Sequence, residues 1–173
     1  CHAVGVEVVV IDGDQHYDAE AWRKDLRACM LRCGIRKKNV CLLLNETDMR
    51  RDGVMSDVNT LMNGGQIDRL WGAEDVGEIV ESVGEDFKRA TNTEEGSVEQ
   101  IMEYFTGRVR DWLHIVCCVS RDMAVMRERL RVYPALATST VIDCYDAWPA
   151  DALERIAAMH LKQSEAPTHT HTT

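Results

Sequence analysis

The chain has 173 residues, of which 45% are apolar and 28% charged, and its formal net charge is −9. That length suits one respectable hydrophobic core, and the composition is that of an ordinary globular domain. The acidic balance excludes a nucleic-acid backbone or an anionic membrane surface as the main partner, because both draw basic patches.

No apolar run approaches the roughly 18 residues a membrane span needs, and no stretch reads as a signal peptide. Seven cysteines without a CxxC pair offer neither a disulfide framework nor a zinc site. Cys29/Cys33 and Cys117/Cys118 fall in apolar segments, where a free thiol behaves as a small hydrophobe, so a reduced cytosolic compartment is expected. The chain opens on Cys1 instead of Met and moves almost directly into a strand. A fragment or an incomplete gene model is expected from that.

In chain order, Val6 to Ile11 is a β-branched run ending in Asp12-Gly13-Asp14, a strand followed by a turn. Asp18 caps a helix on which Trp22, Leu26, Cys29/Met30 and Cys33 recur at helical spacing, with Gly34 in the position just past its end. Arg23, Lys24, Arg27 and Arg32 form its solvent face. Val40 to Leu44 is continuously apolar and then breaks into Asn45, Glu46 and Asp48, as a buried parallel strand does where it emerges at its carboxyl end. A helix over Gly53 to Met62 follows, closed by Gly64-Gly65.

The acidic region Glu74 to Glu95 predicts a short helix, Asp75 to Val83, and then a weakly ordered, solvated link. Val98, Ile101, Met102, Phe105 and Val109 mark an amphipathic helix. Leu113 to Val119 is a third strand, ending in Ser120-Arg121-Asp122, and a helix from about Met123 to Arg131 breaks at Tyr133-Pro134. Val141 to Cys144 reads as a fourth short strand, and Pro149 opens a last helix reaching Leu161. Gln163 to Thr173 has no apolar face and is expected to be disordered; the His169 and His171 in it read as a frayed end. Strands alternating with helices predict a three-layer α/β fold with a parallel sheet.

Ligands of open α/β sheets sit beyond the carboxyl ends of the strands. Asn45, Glu46 and Asp48 therefore occupy the place where phosphate-metal chemistry is done, the alternative being a plain strand-end turn. In nucleoside-triphosphate hydrolases the first acid at such a strand end orients the Mg²⁺ shell and the second polarises the attacking water. Asn45 holds the first slot without a charge, and Glu46 holds the second. Ser120 either touches a γ-phosphate or caps the following helix together with Asp122. Arg127, Arg129 and Arg131 either favour a helix C-terminus or supply an arginine finger to an adjacent subunit. His114 reads as a satisfied core histidine. No G-x-x-x-x-G-K-[ST] loop occurs in these 173 residues.

Read together, several segments resemble the dynein heavy chain and its motor ring of AAA+ modules. They are Trp22-Arg23-Lys24-Asp25-Leu26, Leu42-Leu43-Leu44-Asn45-Glu46-Thr47-Asp48 and Asp57-Val58-Asn59-Thr60-Leu61-Met62-Asn63-Gly64-Gly65-Gln66-Ile67. Arg110-Asp111-Trp112-Leu113-His114-Ile115-Val116, Arg127 through Leu136 and Ile142 through Pro149 continue the series, in order and over about residues 4 to 160. The match is greatest to the fourth module, which precedes the microtubule-binding stalk.

The resemblance implies a P-loop NTPase-like (AAA+) parallel sheet with flanking helices, lacking the N-terminal P-loop unit and the small helical lid. Residues 1–162 would be a partial large subdomain, and 163–173 a disordered tail. It places Asn45-Glu46 at the Walker B position, with Glu46 catalytic and Asn45 and Asp48 near the nucleotide and Mg²⁺ shell without a direct metal ligand. Ser120 falls at sensor 1, and Arg129 or Arg131 at the arginine finger. ATP and Mg²⁺ are implied as cofactors of the intact parent and not of the isolated chain. The implied partners are neighbouring AAA+ modules and, through the whole complex, dynein intermediate and light chains and microtubules, with no nucleic acid and no membrane. The implied location is the cytoplasm and cytoskeleton, including a ciliary or flagellar axoneme. Departures are the amide at Asn45, Arg121 after Ser120 where the family has Pro, and the Ala-Thr-Ser-Thr run after Leu136. Two readings stay open: a module that contributes ATP binding or regulation to minus-end-directed movement, and a degenerate, non-hydrolysing scaffold.

Overall fold

The computed structural model describes residues 3, 5–11, 17–64, 66–120 and 122–164. The expected Asp12-Gly13-Asp14 turn, Gly65, Arg121 and residues 165–173, with His169 and His171, lie outside the described residues. The chain divides into two compact units, Cys1–Thr140 and Val141–Thr173.

In the first unit three parallel strands form one sheet in the order β1-β2-β3, comprising β1 (Glu7–Val10), β2 (Val40–Leu44) and β3 (Leu113–Cys117). Parallel neighbours need crossovers, and helices supply them. Helix α1 (Ala19–Gly34) links β1 to β2, while α2 (Val54–Met62), α3 (Ala73–Thr91) and α4 (Val98–Trp112) lie between β2 and β3. After β3 come α5 (Met123–Val132) and the short α6 (Ala135–Thr138). This is the α/β class that the alternation of elements predicts.

The register explains the burial. Val9 pairs with Leu42 and Leu42 with Ile115, so these residues share one face, and all three belong to or pack against the core. Trp22, Leu26, Cys29 and Cys33 from α1, Ile79 and Val83 from α3, and Phe105 and Val109 from α4 complete that core. On the opposite face Val8, Val10, His114 and Val116 are exposed. β2 is buried along nearly its whole length, whereas β1 and β3 alternate. His114 is thus not a core histidine: period-two alternation turns it outward, with Nε2 3.3 Å from Asn39 Oδ1.

Asp18 caps α1 as expected, its Oδ1 accepting from the Glu20 and Ala21 amides at 3.1 and 2.9 Å. Gly34, however, is still helical, and Ile35 is the C-cap. The glycine is needed for a different reason: a Cβ there would collide with the ring of Phe105. The Phe105 ring of α4 lies directly on the α1 backbone at this point.

Two other expectations are corrected, and one unforeseen element is found. α3 runs unbroken from Ala73 to Thr91, well past Val83. Its Ile79, Val83 and Phe87 are buried, so packing against α4 overrides the helix-weakening Gly84, itself buried at that contact. No strand forms at Val141 to Cys144 among the described residues, where Val141 is 88% exposed. β-branched composition specifies a strand only when a neighbour and a packed face are available. α6, absent from the sequence reading, is held by the Asn59 Oδ1 of α2, which accepts the Ala135 amide at 3.1 Å.

Two buried side chains tie helices together through polar contacts. Trp22 Nε1 donates to Asp57 Oδ2 at 3.0 Å, joining α1 to α2 inside the core. Arg108 on α4 reaches Asp86 of α3 at 3.0 Å and the Ile35 carbonyl at 3.3 Å. Burial pushes the thiols of Cys29 and Cys33 up to about 11 and about 12, and both are free thiols, consistent with hydrophobic use. In the second unit α7 (Ala150–Ser164) starts after Trp148-Pro149 and ends two residues into the segment expected to be disordered.

Gly34→Ala is expected to destabilise the first unit by roughly 1–3 kcal/mol, the usual cost of forcing extra volume into a packed core. Thermal unfolding followed by circular dichroism measures it. A simultaneous Phe105→Leu change should recover part of the loss by removing the ring from the added methyl.

Candidate functional site

Because β2 is central and apolar, its first polar side chains appear only beyond Leu44. The ladder aligns Leu44 with Cys117, and the Cys118 amide donates to the Leu44 carbonyl at 2.8 Å. Asn45-Glu46 and Cys118 to Ser120 therefore leave the sheet side by side. The Ser120 amide donates to Glu46 Oε2 at 3.1 Å, closing the gap between the two strand ends.

Glu46 is the best-connected of the expected site residues. Arg129 grips it as a fork, Nη1 donating to Oε2 at 3.0 Å and Nη2 to Oε1. Arg50, one turn along the chain, places its Nη2 3.6 Å from Oε1. The Arg129 guanidinium, assisted by the Ser120 amide and Arg50, holds the Glu46 carboxyl down to about 2 from an ordinary 4.5. The same contact raises Arg129 above its usual value. Bidentate, charge-assisted pairs of this geometry are among the stronger side-chain interactions.

The other expected residues separate. Asn45 is exposed, and its backbone amide donates to Asp48 Oδ2 at 2.9 Å. Asp48 is buried and closes this turn, with its Oδ1 3.9 Å from Arg51 Nε. Ser120 is exposed, and the helix-capping role considered for it falls to Asp122, whose Oδ1 accepts the Ala124 and Val125 amides at 2.9 and 3.3 Å. Arg131 is 78% exposed and pairs with Glu128 at 2.6 Å, while the Arg129 side chain is only 12% exposed. The structure thus brings together Glu46, Ser120 and Arg129 and leaves Asp48 and Arg131 in other company. Arg50 was missed; its spacing of four from Glu46 was the available signal.

No group of three or more His, Cys, Asp or Glu able to hold a metal exists among the described residues. Nor is any helix among them long and apolar enough to cross a membrane.

A three-stranded parallel sheet flanked by helices is a partial α/β unit of the P-loop NTPase-like, AAA+ class. Residues 1–173 match the family described as the P-loop containing dynein motor region D4, and the chain belongs to that family, as part of a dynein heavy chain motor module. It is 30% identical over 165 residues, 94% of the chain, to dynein axonemal heavy chain 1 of Homo sapiens. To the dynein-1-beta heavy chain of the flagellar inner arm I1 complex of Chlamydomonas reinhardtii it is 29% identical over 151 residues, 87% of the chain. Dynein axonemal heavy chain 6 of Homo sapiens is 26% identical over 165 residues. The chain spans only 3–4% of the length of these relatives.

Glu46 is charged in both states above about pH 4.5 and is held lower only in the folded chain, so its pairing stabilises fully above that pH. The contribution is lost as pH falls toward about 2. Arg129→Gln is expected to cost about 1 kcal/mol near neutral pH, solvent screening included. The gap from the wild type should close on acidification across that window, as urea titrations at a series of pH values would read. A gap independent of pH would show that Arg129 stabilises by packing alone.

Proposed function

We propose that this chain is the catalytic-side edge of a nucleotide site in a dynein heavy chain motor, contributing ATP binding or regulation to ATP-driven, minus-end-directed movement on microtubules. The observation that carries this reading is the meeting of Glu46 and Ser120 across the ends of adjacent parallel strands, through the 3.1 Å bond from the Ser120 amide. That is where the carboxyl-end rule for α/β sheets puts a ligand.

In this reading Glu46 orients a water for attack on the γ-phosphate and accepts its hydrogen bond, while Ser120 hydroxyl contacts the phosphoryl oxygens. Arg129 or Arg131 would supply positive charge to developing phosphate charge, in this module or a neighbouring one. The residues present suit the γ-phosphate end of ATP: the Glu46 carboxylate, the Ser120 amide and the Arg129 guanidinium meet there, and Ser120 is exposed. They fit Mg²⁺ only in an outer-sphere role, because Asn45 offers a neutral amide and Arg129 already occupies the Glu46 carboxylate. When bound, the metal would draw charge from the phosphate chain.

The partners of the intact motor would be neighbouring AAA+ modules, dynein intermediate and light chains, and microtubules. Relatives named as axonemal and flagellar dyneins support a place in the cytoskeleton of a cilium.

One observation favours the second reading, a non-hydrolysing scaffold module. With both carboxylate oxygens engaged by Arg129, which holds its carboxyl well below the usual carboxylate range, Glu46 is a weak base. The two separate in a dynein motor carrying this module. On the hydrolytic reading Glu46→Gln slows loss of the γ-phosphate from ATP bound at this module by at least 10²-fold, in the range of a missing acid–base group. Single-turnover release of labelled phosphate measures it. Unchanged release, with microtubule gliding also unchanged, selects the scaffold.

A further inference from the structure

We propose that the amino ends of the three strands form a binding site for a small organic anion with a flat, apolar body. The site lies at the opposite end of the sheet from Glu46 and Ser120, and it does not depend on the roles given to them.

The first argument is shape. A cleft of about 530 Å³ spans the strand starts, lined by Val6 and Glu7 at β1, Lys38 and Asn39 ahead of β2, and Trp112 ahead of β3. Sites for small molecules are commonly of a few hundred Å³. The backbone around the cleft is pinned. The Glu7 amide donates to the Asn39 carbonyl at 3.0 Å, and the Lys37 and Lys38 amides bond back to the Cys33 and Arg32 carbonyls, both at 3.2 Å. Backbone anchored in this way does not have to be ordered by the ligand.

The second argument is charge. Glu7 Oε1 is taken by Arg32 Nη1 at 2.8 Å, and Lys37, which also lines the cleft, spends its ammonium on Asp86 at 3.0 Å. Lys38 pairs with no carboxylate among the described residues, so the cleft keeps an uncommitted positive charge. Arg36, exposed two residues earlier, adds to it, while the exposed Asp111 precedes Trp112 without lining the cleft. In a chain of net charge −9 this is a local reversal of sign, and such a field draws anions.

The third argument is the set of donors. The indole Nε1 of the half-buried Trp112 can only donate, and no acceptor meets it among the described residues. Asn39 Oδ1 faces His114 Nε2 at 3.3 Å, which leaves the Nδ2 end of that carboxamide without a partner. An ammonium, a carboxamide and an indole from two distant segments thus line one cleft with donors. A carboxylate or sulfonate supplies the acceptors they lack, and the indole ring offers an apolar face to a flat ligand. A cation would meet Lys38, and a purely apolar molecule would leave the donors unanswered.

A ligand held there would touch the starts of all three strands, so its binding free energy adds to the stability of the sheet.

The test uses the 173-residue chain, with naphthoate as the probe and naphthamide as its neutral twin. Proton–nitrogen NMR resolves the indole signals of the four tryptophans, and Trp112→Phe identifies the one from Trp112. Naphthoate is expected to move that signal saturably, with half-saturation below about 1 mM. Exchanging the probe for naphthamide, or Lys38 for Gln, should weaken binding about tenfold, the worth of one charged hydrogen bond. Lys38 is exposed, so its replacement leaves the core untouched. Lys24→Gln removes the same charge from the exposed face of α1 and should match the wild type.

A Trp112 signal unmoved by naphthoate up to about 10 mM overturns the site. Equal binding of naphthamide, undiminished binding to Lys38→Gln, or an equal loss in Lys24→Gln does the same. Equal movement of all four indole signals would mean general adhesion to apolar surface, and it overturns the site as well.

Discussion

The structure depends on one constraint, the burial of a strand whose backbone must be hydrogen-bonded on both sides. β2 meets it by pairing with β1 and β3 in parallel, and its side chains meet the same demand by being apolar at Val40, Cys41, Leu42 and Leu44. Unpaired backbone groups or unpartnered charges along that strand would each cost kilocalories. Polar chemistry is thereby expelled to the strand's end. Glu46 and Ser120 stand together because the ladder that satisfies Leu44 also aligns Cys117 beside it.

Around that strand the helices are held by close approach and by large buried side chains. Phe105 lies over Gly34, which has no Cβ to obstruct it, and Trp71 meets the same ring edge-on with centroids 5.5 Å apart. Trp22 and Phe105 are among the largest fully buried side chains, and each such burial is worth roughly 1.5–3 kcal/mol. The indole of Trp22 would leave a buried donor unpaired were it not for Asp57. Asn59, two residues on, carries the same helix to α6. α2 thus couples the core to the segment that follows the candidate site.

The electrostatics of the strand end differ in kind. Glu46 and Arg129 are joined by directional, charge-assisted bonds at a half-buried position, with the exposed Arg50 a looser ion pair at 3.6 Å. Such an arrangement holds a side chain in place through directional bonds. It also sets the protonation of the carboxyl from a helix that lies beyond the next strand in sequence, at a separation of 83 residues.

The sequence by itself determined the elements whose pattern is local: the capped α1, the apolar β2 with its polar end, the amphipathic α4, and the alternation that makes the fold α/β. It also carried the dynein likeness, through motifs that survive as ordered strings of residues. Tertiary structure decided what depends on neighbours distant in the chain. It extended α3 through its glycine by giving Ile79, Val83 and Phe87 a partner, and it denied a strand to Val141–Cys144, for which no ladder forms among the described residues. It turned His114 outward, sent Asp48 inward, and joined Arg129 to Glu46. Periodicity reports which face a residue occupies within its own element, but a charge finds its partner only when packing has brought the elements together.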